Sequence, residues 1–173
     1  MPNHLTILGI FHTAIGIIAI LIAFLALLRY GKINPDTKSG QFYIVLTIIT
    51  CLTSFPIMKT GHFTAGHYVA IVILVLLPIG IYARNFRLFG RAAEYIQIFA
   101  MSTTLALSMI PTVVETLTRV PISKPLAAGP DDPLVKMGTL ILAVLYASGV
   151  IYQFVKVWRK KKIGQMPNTV NFG

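Results

Sequence analysis

The chain has 173 residues, of which 55% are hydrophobic and 12% are charged, and its mean hydropathy is +0.77. Average soluble domains are about a quarter charged, and disordered chains are poor in apolar residues, so the composition excludes both classes. One cysteine, Cys51, rules out a disulfide scaffold. The composition therefore predicts an all-α integral membrane protein.

Five apolar segments follow one another along the chain, each close to the roughly 20 residues that a transmembrane helix needs. They cover residues 5–28, 41–58, 67–83, 92–110 and 134–157. The first is too long for a cleaved signal peptide, and no positive charge precedes it. We therefore expect a bundle of five transmembrane helices over residues 1–158, followed by a basic cytoplasmic tail over residues 159–173.

The net charge is +10, and the lysines and arginines lie between the apolar segments. This arrangement favours a role of the basic residues in membrane orientation and anionic-lipid contact over nucleic-acid binding. Eleven lysines and arginines fall on one side of the predicted spans and four on the other. This bias predicts an external N-terminus and a cytoplasmic C-terminus. The third segment is short and contains Pro78 and Gly80, but the basic cluster at residues 84–91 favours a full crossing over a re-entrant segment. The basic run at residues 158–162 is predicted to contact anionic lipids.

The first segment has one face of small residues at steps of three and four, which predicts the side that meets other helices. This face comprises Gly9, His12, Gly16, Ala19, Ala23 and Ala26. His12 is therefore expected to point into the bundle. Bulky residues suited to lipid occupy the opposite positions, namely Ile17, Ile18, Leu21, Leu25 and Leu28.

Helical spacing also predicts the inward faces of later segments. On the fourth, the face is polar and comprises Glu94, Gln97, Met101, Thr104, Ser108, Pro111, Glu115 and Thr118. Hydrogen bonds between helices, each worth about 0.6 kcal/mol, are the favoured interpretation of its Thr and Ser positions, whereas Glu94 and Glu115 would be functional candidates if buried. On the fifth segment, the predicted packing face comprises Gly138, Leu142, Leu145, Gly149, Tyr152 and Lys156. Glu115 and Arg119 are spaced to form an ion pair, or Arg119 could instead meet an anionic group such as a propionate.

The first two segments resemble a group of small bacterial multi-spanning membrane proteins that has no settled activity. The matching residues are His12, Gly16 and Ala19, then the run at residues 29–32, then Gly40 and Tyr43. They cover about a quarter of the chain. A second histidine, frequent before the second span of that group, is missing here, where Thr37, Lys38 and Ser39 stand. The resemblance implies a bacterial cytoplasmic membrane location.

The predicted topology places all four histidines, His4, His12, His62 and His67, on the external side. The first interpretation is a haem b site for electron transfer or sensing, because two histidines on different helices can ligate iron from both faces of a porphyrin. His12 and His67 would be the ligands, Gly16 would leave room for the macrocycle, and Arg119 could meet a propionate.

Two alternatives stay open. His12, His62, His67 and Glu115 could together bind zinc, iron or copper in a membrane enzyme. The histidines could instead be interfacial residues of a cofactor-free packing, assembly or small-solute transport protein. No nucleophile–base pair, glycine-rich phosphate loop or nucleic-acid module is visible, so enzymatic activity is undecided. The small-residue faces also allow a homo-oligomer or a membrane partner subunit.

Overall fold

The computed structural model describes residues 6–57, 63–119 and 124–163, and this part of the chain is all-helical, without a strand. The helices are α1 (Ile7–Tyr30), α2 (Lys38–Ser54), α3 (Ala65–Tyr82), α4 (Ala93–Arg119) and α5 (Pro133–Ile163), with a 3₁₀ helix at Arg87–Ala92 before α4. The five predicted helices are therefore confirmed as helices. α4 continues past Pro111 and α5 runs into the predicted tail.

Four of the helices, α1, α3, α5 and α4 with its preceding 3₁₀ turn, are long and apolar enough to cross a membrane. The exception is α2, which has 17 residues. At 1.5 Å per residue it is about 26 Å long, slightly less than the roughly 30 Å hydrocarbon core.

Local sequence signals set the helix ends. The hydroxyl of Thr6 accepts a hydrogen bond from the Gly9 N–H at the start of α1, as an N-cap threonine does. Gly31 ends α1 with a φ of 71°, and its N–H donates to the carbonyl of Leu27. Glycine adopts this left-handed conformation without a steric penalty, which makes it a favourable helix terminator.

Helices α1 to α4 form a ring in which each helix packs against the next and α4 closes back onto α1, whereas α5 packs mainly on α4, and Lys161 near its end donates to the carbonyl of Arg91 in the 3₁₀ helix. On α1, Ala19, Ala23 and Ala26 are buried, and the bulky residues opposite them are exposed. This confirms the predicted faces of the first helix. Close approach is possible because alanine side chains let the neighbouring backbone come near.

The core of the ring contains polar side chains from α2 and α4. The hydroxyls of Tyr43 and Thr104 lie 2.9 Å apart, and Gln97 donates to the carbonyl of Gly80 on α3. These bonds confirm that the polar face of α4 bonds to other helices at these positions. Ser108 instead donates to the carbonyl of Thr104 on its own helix.

The predicted packing face of α5 is wrong beyond its first turns. Gly138 packs against Val113 of α4, but within the described residues no atom of another helix lies within 4 Å of the position that a Cβ on Gly149 would take. The face of α5 that packs on α4 is different from the predicted one and includes Gln153, which accepts a hydrogen bond from Ser102. Farther along the same face, Tyr146 bonds Thr103, and Val150 and Val157 are buried.

Candidate functional site at the histidine end of the bundle

His12 lies on α1, half-buried against α2, with its Nδ1 3.1 Å from the hydroxyl oxygen of Thr53. That hydroxyl also lies within bonding distance of the carbonyls of Ile49 (2.8 Å) and Thr50 (3.0 Å). Carbonyls only accept, so we assign the single hydroxyl proton to one of them and infer that Thr53 accepts from His12. In this assigned tautomer, Nδ1 carries the proton of the neutral imidazole, and Nε2 has a lone pair that can accept a hydrogen bond or ligate a metal.

His67 is in the first turn of α3 and is only 3% exposed. Its Nδ1 accepts a hydrogen bond from the backbone N–H of Thr64 at 3.0 Å, and the Thr64 hydroxyl lies 2.9 Å from the same nitrogen. A backbone N–H can only donate, so Nδ1 is unprotonated and the ring proton lies on Nε2. This arrangement is a capping box in which a histidine takes the usual place of glutamate or glutamine.

The Nε2 of His67 is buried and has no hydrogen-bond partner among the described residues. Two aromatic rings surround the imidazole, with centroids 6.2 Å away for Phe55 and 5.2 Å away for Phe63. A buried donor without an acceptor costs about 1–3 kcal/mol. His67 therefore presents an unused N–H in an apolar environment.

The two histidines reach the same end of α2. His12 contacts Thr53 in the last turn, and the ring of His67 packs beside Phe55, the residue that ends the helix. Each histidine also continues the interior face of its own helix, His12 seven residues before Ala19 and His67 three before Ala70. His12 lies on α1 and His67 on α3, so the imidazoles approach the bundle interior from different helices.

This geometry suits the proposed haem ligands unequally. His12 fits, because its Nε2 lone pair is available and its Nδ1–H is held by Thr53, as metal-binding histidines generally require. In the tautomer that the Thr64 hydrogen bond implies, His67 does not fit, since its Nε2 carries a proton. Ligation through that atom requires loss of the Thr64 hydrogen bond. At Gly16, the methyl group of Thr50 lies 3.4 Å from the position of an added Cβ, so α2 fills the space expected for a macrocycle.

Glu115 and Arg119 form the ion pair that their spacing predicts, and both lie in the last turns of α4. Arg119 is engaged with Glu115, so it would have to share or leave this carboxylate to bind a ligand.

The predicted metal site is only partly visible. His62, like His4, lies outside the described residues. Within residues 6–57, 63–119 and 124–163, no group of three or more His, Cys, Asp or Glu residues is arranged to hold a metal ion. The proposed His12, His62, His67 and Glu115 set therefore stays a prediction.

Thr53, Thr64, Phe55 and Phe63 complete the surroundings of the two histidines, and sequence reasoning did not single them out. Thr64 could have been identified from the sequence, because it lies three residues before His67, which is the spacing between the N-cap and N3 residues of a capping box. Thr53 has no such signal, since its partner is 41 residues away. No protein-family model, curated protein or solved structure matches this chain.

Proposed function

We propose that the chain is an integral protein of a bacterial cytoplasmic membrane, with its N-terminus outside and its C-terminus in the cytoplasm. Four helices long and apolar enough to span a bilayer support insertion. Large exposed side chains such as Leu21, Leu25 and Leu145 would face acyl chains. The eleven-to-four distribution of lysine and arginine supports the orientation.

Cysteine accessibility tests this orientation. In a background with Cys51→Ser, Phe63→Cys should react with an impermeant maleimide added to intact cells, and Asn85→Cys should react only after the cells are opened. Both positions are exposed, and they lie at opposite ends of α3. Labelling of both residues from the same side would contradict the proposed threading.

We further propose that the histidine end binds a lipid-soluble redox cofactor of the quinone class, in a role in electron transfer or sensing. The observation that carries this proposal is the hydrogen bonding of the two imidazoles: the Thr64 N–H donates to Nδ1 of His67, and Nδ1 of His12 lies 3.1 Å from the Thr53 hydroxyl. From these bonds we infer an N–H at Nε2 of His67 and a lone pair at Nε2 of His12. A quinone accepts hydrogen bonds through its carbonyl oxygens, and the corresponding quinol donates them. The two histidines thus offer one donor and one acceptor to the two redox forms.

The surroundings of His67 favour a neutral, ring-shaped ligand. The imidazole lies between Phe55 and Phe63, whose faces and edges can pack on another ring. An anionic ligand would lose its hydration in this apolar environment, whereas a carbonyl loses much less. A quinone oxygen bonded to Nε2–H would remove the cost of the unpaired donor.

Haem b is the second candidate, favoured by the accessible lone pair and fixed Nδ1–H of His12. Here His12 would be the iron ligand, and a second ligand from His67 would require the tautomer change described above. A transition metal at His12 would use the same lone pair. When bound, haem would supply one-electron redox chemistry.

One preparation separates these candidates. We expect the purified protein to lack a Soret band and to release a quinone into organic solvent. His67→Ala should lose the quinone and His67→Gln should retain part of it, because a glutamine amide also donates a hydrogen bond and also caps a helix at this position. Tyr152→Ala, an exposed residue on α5, is the control and should retain the quinone.

A Soret band that disappears in His12→Ala would establish haem and overturn the quinone proposal. In that case His67→Gln would not rescue a ligand role of His67, because an amide is a poor substitute for imidazole on iron. A colourless protein without extractable quinone, and without response to added quinone, would overturn both candidates.

A further inference from the structure

A groove lies at the opposite end of the bundle from the histidines, between the last turns of α1 and the first turn of α2. Its volume is about 730 Å³, and its lining residues are Leu25, Leu28, Arg29, Tyr30, Thr37, Lys38 and Ser39. Volumes of about 300–1,000 Å³ are typical of sites for small molecules. The groove uses none of the residues assigned to the candidate cofactor site.

The lining is divided into an apolar part and a cationic part. Leu25 and Leu28 belong to the apolar body of α1 and are highly exposed, at 61% and 84%. Arg29 follows at the end of the helix, and Lys38 begins α2 across the groove. Leu25 lies about one helical turn before Arg29 on α1. The hydrocarbon surface of the groove is therefore directly beside its two positive charges.

Within the described residues, neither Arg29 nor Lys38 forms a salt bridge, so both charges can meet an anion. The guanidinium of Arg29 lies over the neighbouring ring of Tyr30, 5.5 Å from its centroid. Lys32, by contrast, pairs with Glu94 at 2.7 Å. Arg84 is likewise occupied by Asp36 and Glu94. The acidic side chains at this end of the bundle thus neutralise other basic residues and leave the groove positive.

The hydroxyls in the groove have different roles. Thr37 donates to the carbonyl of Asn34 and accepts from the N–H of Gly40, so its hydroxyl is used within the fold. Because the Thr37 proton is used in this way, Ser39 is the donor in its long, 3.4 Å contact to Thr37. Ser39 would exchange this weak bond to donate to an anion held by Arg29 and Lys38.

We propose that this groove binds the headgroup phosphate of an anionic phospholipid, with an acyl chain along Leu25 and Leu28. Charge complementarity selects the phosphate, and the adjacent leucines select a lipid over a free anion. The inference rests on the proposed membrane insertion, in which this end of α1 lies at the cytoplasmic leaflet where anionic lipids attract basic residues. It assigns a specific lipid position separate from the basic run at the end of α5.

Native mass spectrometry of the detergent-solubilised full chain tests the proposal, with phosphatidylglycerol and phosphatidylcholine as probes. We expect preferential retention of phosphatidylglycerol, and a double variant Arg29→Gln/Lys38→Gln should bind it about thirtyfold more weakly. That magnitude follows from about 1 kcal/mol for each basic residue near a lipid surface. Circular dichroism should show that the variant stays helical.

The matched control is Arg159→Gln/Lys160→Gln, which removes the same charge from exposed positions on α5 and should leave retention unchanged. An equal loss of lipid retention in both double variants would mean that basic residues attract the lipid diffusely, and it would overturn the groove proposal. Displacement of the lipid by inorganic phosphate at equal concentration would identify a phosphate site and also overturn the lipid assignment. If cysteine labelling confirms insertion while lipid retention fails, only the groove proposal is wrong.

Discussion

The backbone N–H of Thr64 donates to Nδ1 of His67 over 3.0 Å, and this one bond decides what the imidazole can offer a ligand. It couples the start of α3 to the tautomer of a buried histidine. Because Nδ1 is the acceptor, Nε2 is the donor, and it faces an apolar environment without a partner among the described residues. Helix capping and ligand recognition therefore depend on the same ring.

His67→Ala is expected to lower the free energy of unfolding by about 1 kcal/mol, because the Thr64 N–H loses its acceptor at the start of the helix. His67→Gln should restore most of this loss, since glutamine is a common partner in capping boxes. Thermal unfolding of the two variants in the same detergent measures the difference. If both variants unfold alike, the cap does not contribute as described.

Thr53→Val should destabilise the protein by about 0.5–1.5 kcal/mol, because the Nδ1–H of His12 loses its acceptor. Thr139→Val is the control. Its hydroxyl donates only to the carbonyl of Val135 on its own helix, so its loss should have a much smaller effect. Chemical unfolding of both variants compares the two losses, and equal values would argue against a specific role of Thr53.

Gly40→Ala should be strongly destabilising, because an added Cβ would overlap the backbone carbonyl of Asn34 in the preceding turn. Overpacking commonly costs about 1–3 kcal/mol, and backbone atoms cannot move aside as a flexible side chain does. Gly149→Ala meets open space and should raise stability by about 0.5–1 kcal/mol through a better helix propensity. Melting temperatures that fall equally in both variants would contradict the close approach at Gly40.

Asp132 should make stability depend on pH in the acid range. Its carboxylate accepts hydrogen bonds from the N–H groups of Ala128 and Leu134, which lowers the pKa of Asp132 below its ordinary value of 3.8. A lowered pKa in the folded state means that the contribution is present above 3.8 and lost as the pH falls through the folded value.

The stability difference between wild type and Asp132→Ala should therefore be constant near neutral pH and shrink in acid. Thermal unfolding as a function of pH measures this difference, and Asp131→Ala provides a neighbouring control. A difference that grows as the pH falls would show that the sign is wrong.

Sequence reasoning succeeded where residue size or charge varies around a helix. On α1, alanine and glycine occupy one face and large aliphatic residues the other, so the buried positions Ala19, Ala23 and Ala26 could be predicted. It fails on α5, where apolar residues occur on all faces and the predicted face through Gly138 and Gly149 is not the one that packs. The contacts of Tyr146 and Gln153 determine that interface instead.

The candidate site was predictable in part for a similar reason. Topology and helical spacing indicated that His12 and His67 belong to one end of the bundle, and both reach the same end of α2. The protonation of each ring depends on Thr53 and Thr64, whose contacts arise from tertiary packing and from a helix cap. Periodicity alone contains no information about which nitrogen is free.

The most direct test of the central claim is ¹⁵N NMR of the histidine rings in the detergent-solubilised protein, with and without an added short-chain ubiquinone. We predict that Nδ1 of His67 is unprotonated and Nε2 protonated, and that the quinone shifts the Nε2–H resonance while the tautomer persists. A protonated Nδ1, or a His67 resonance that is unchanged at saturating quinone, would contradict the account.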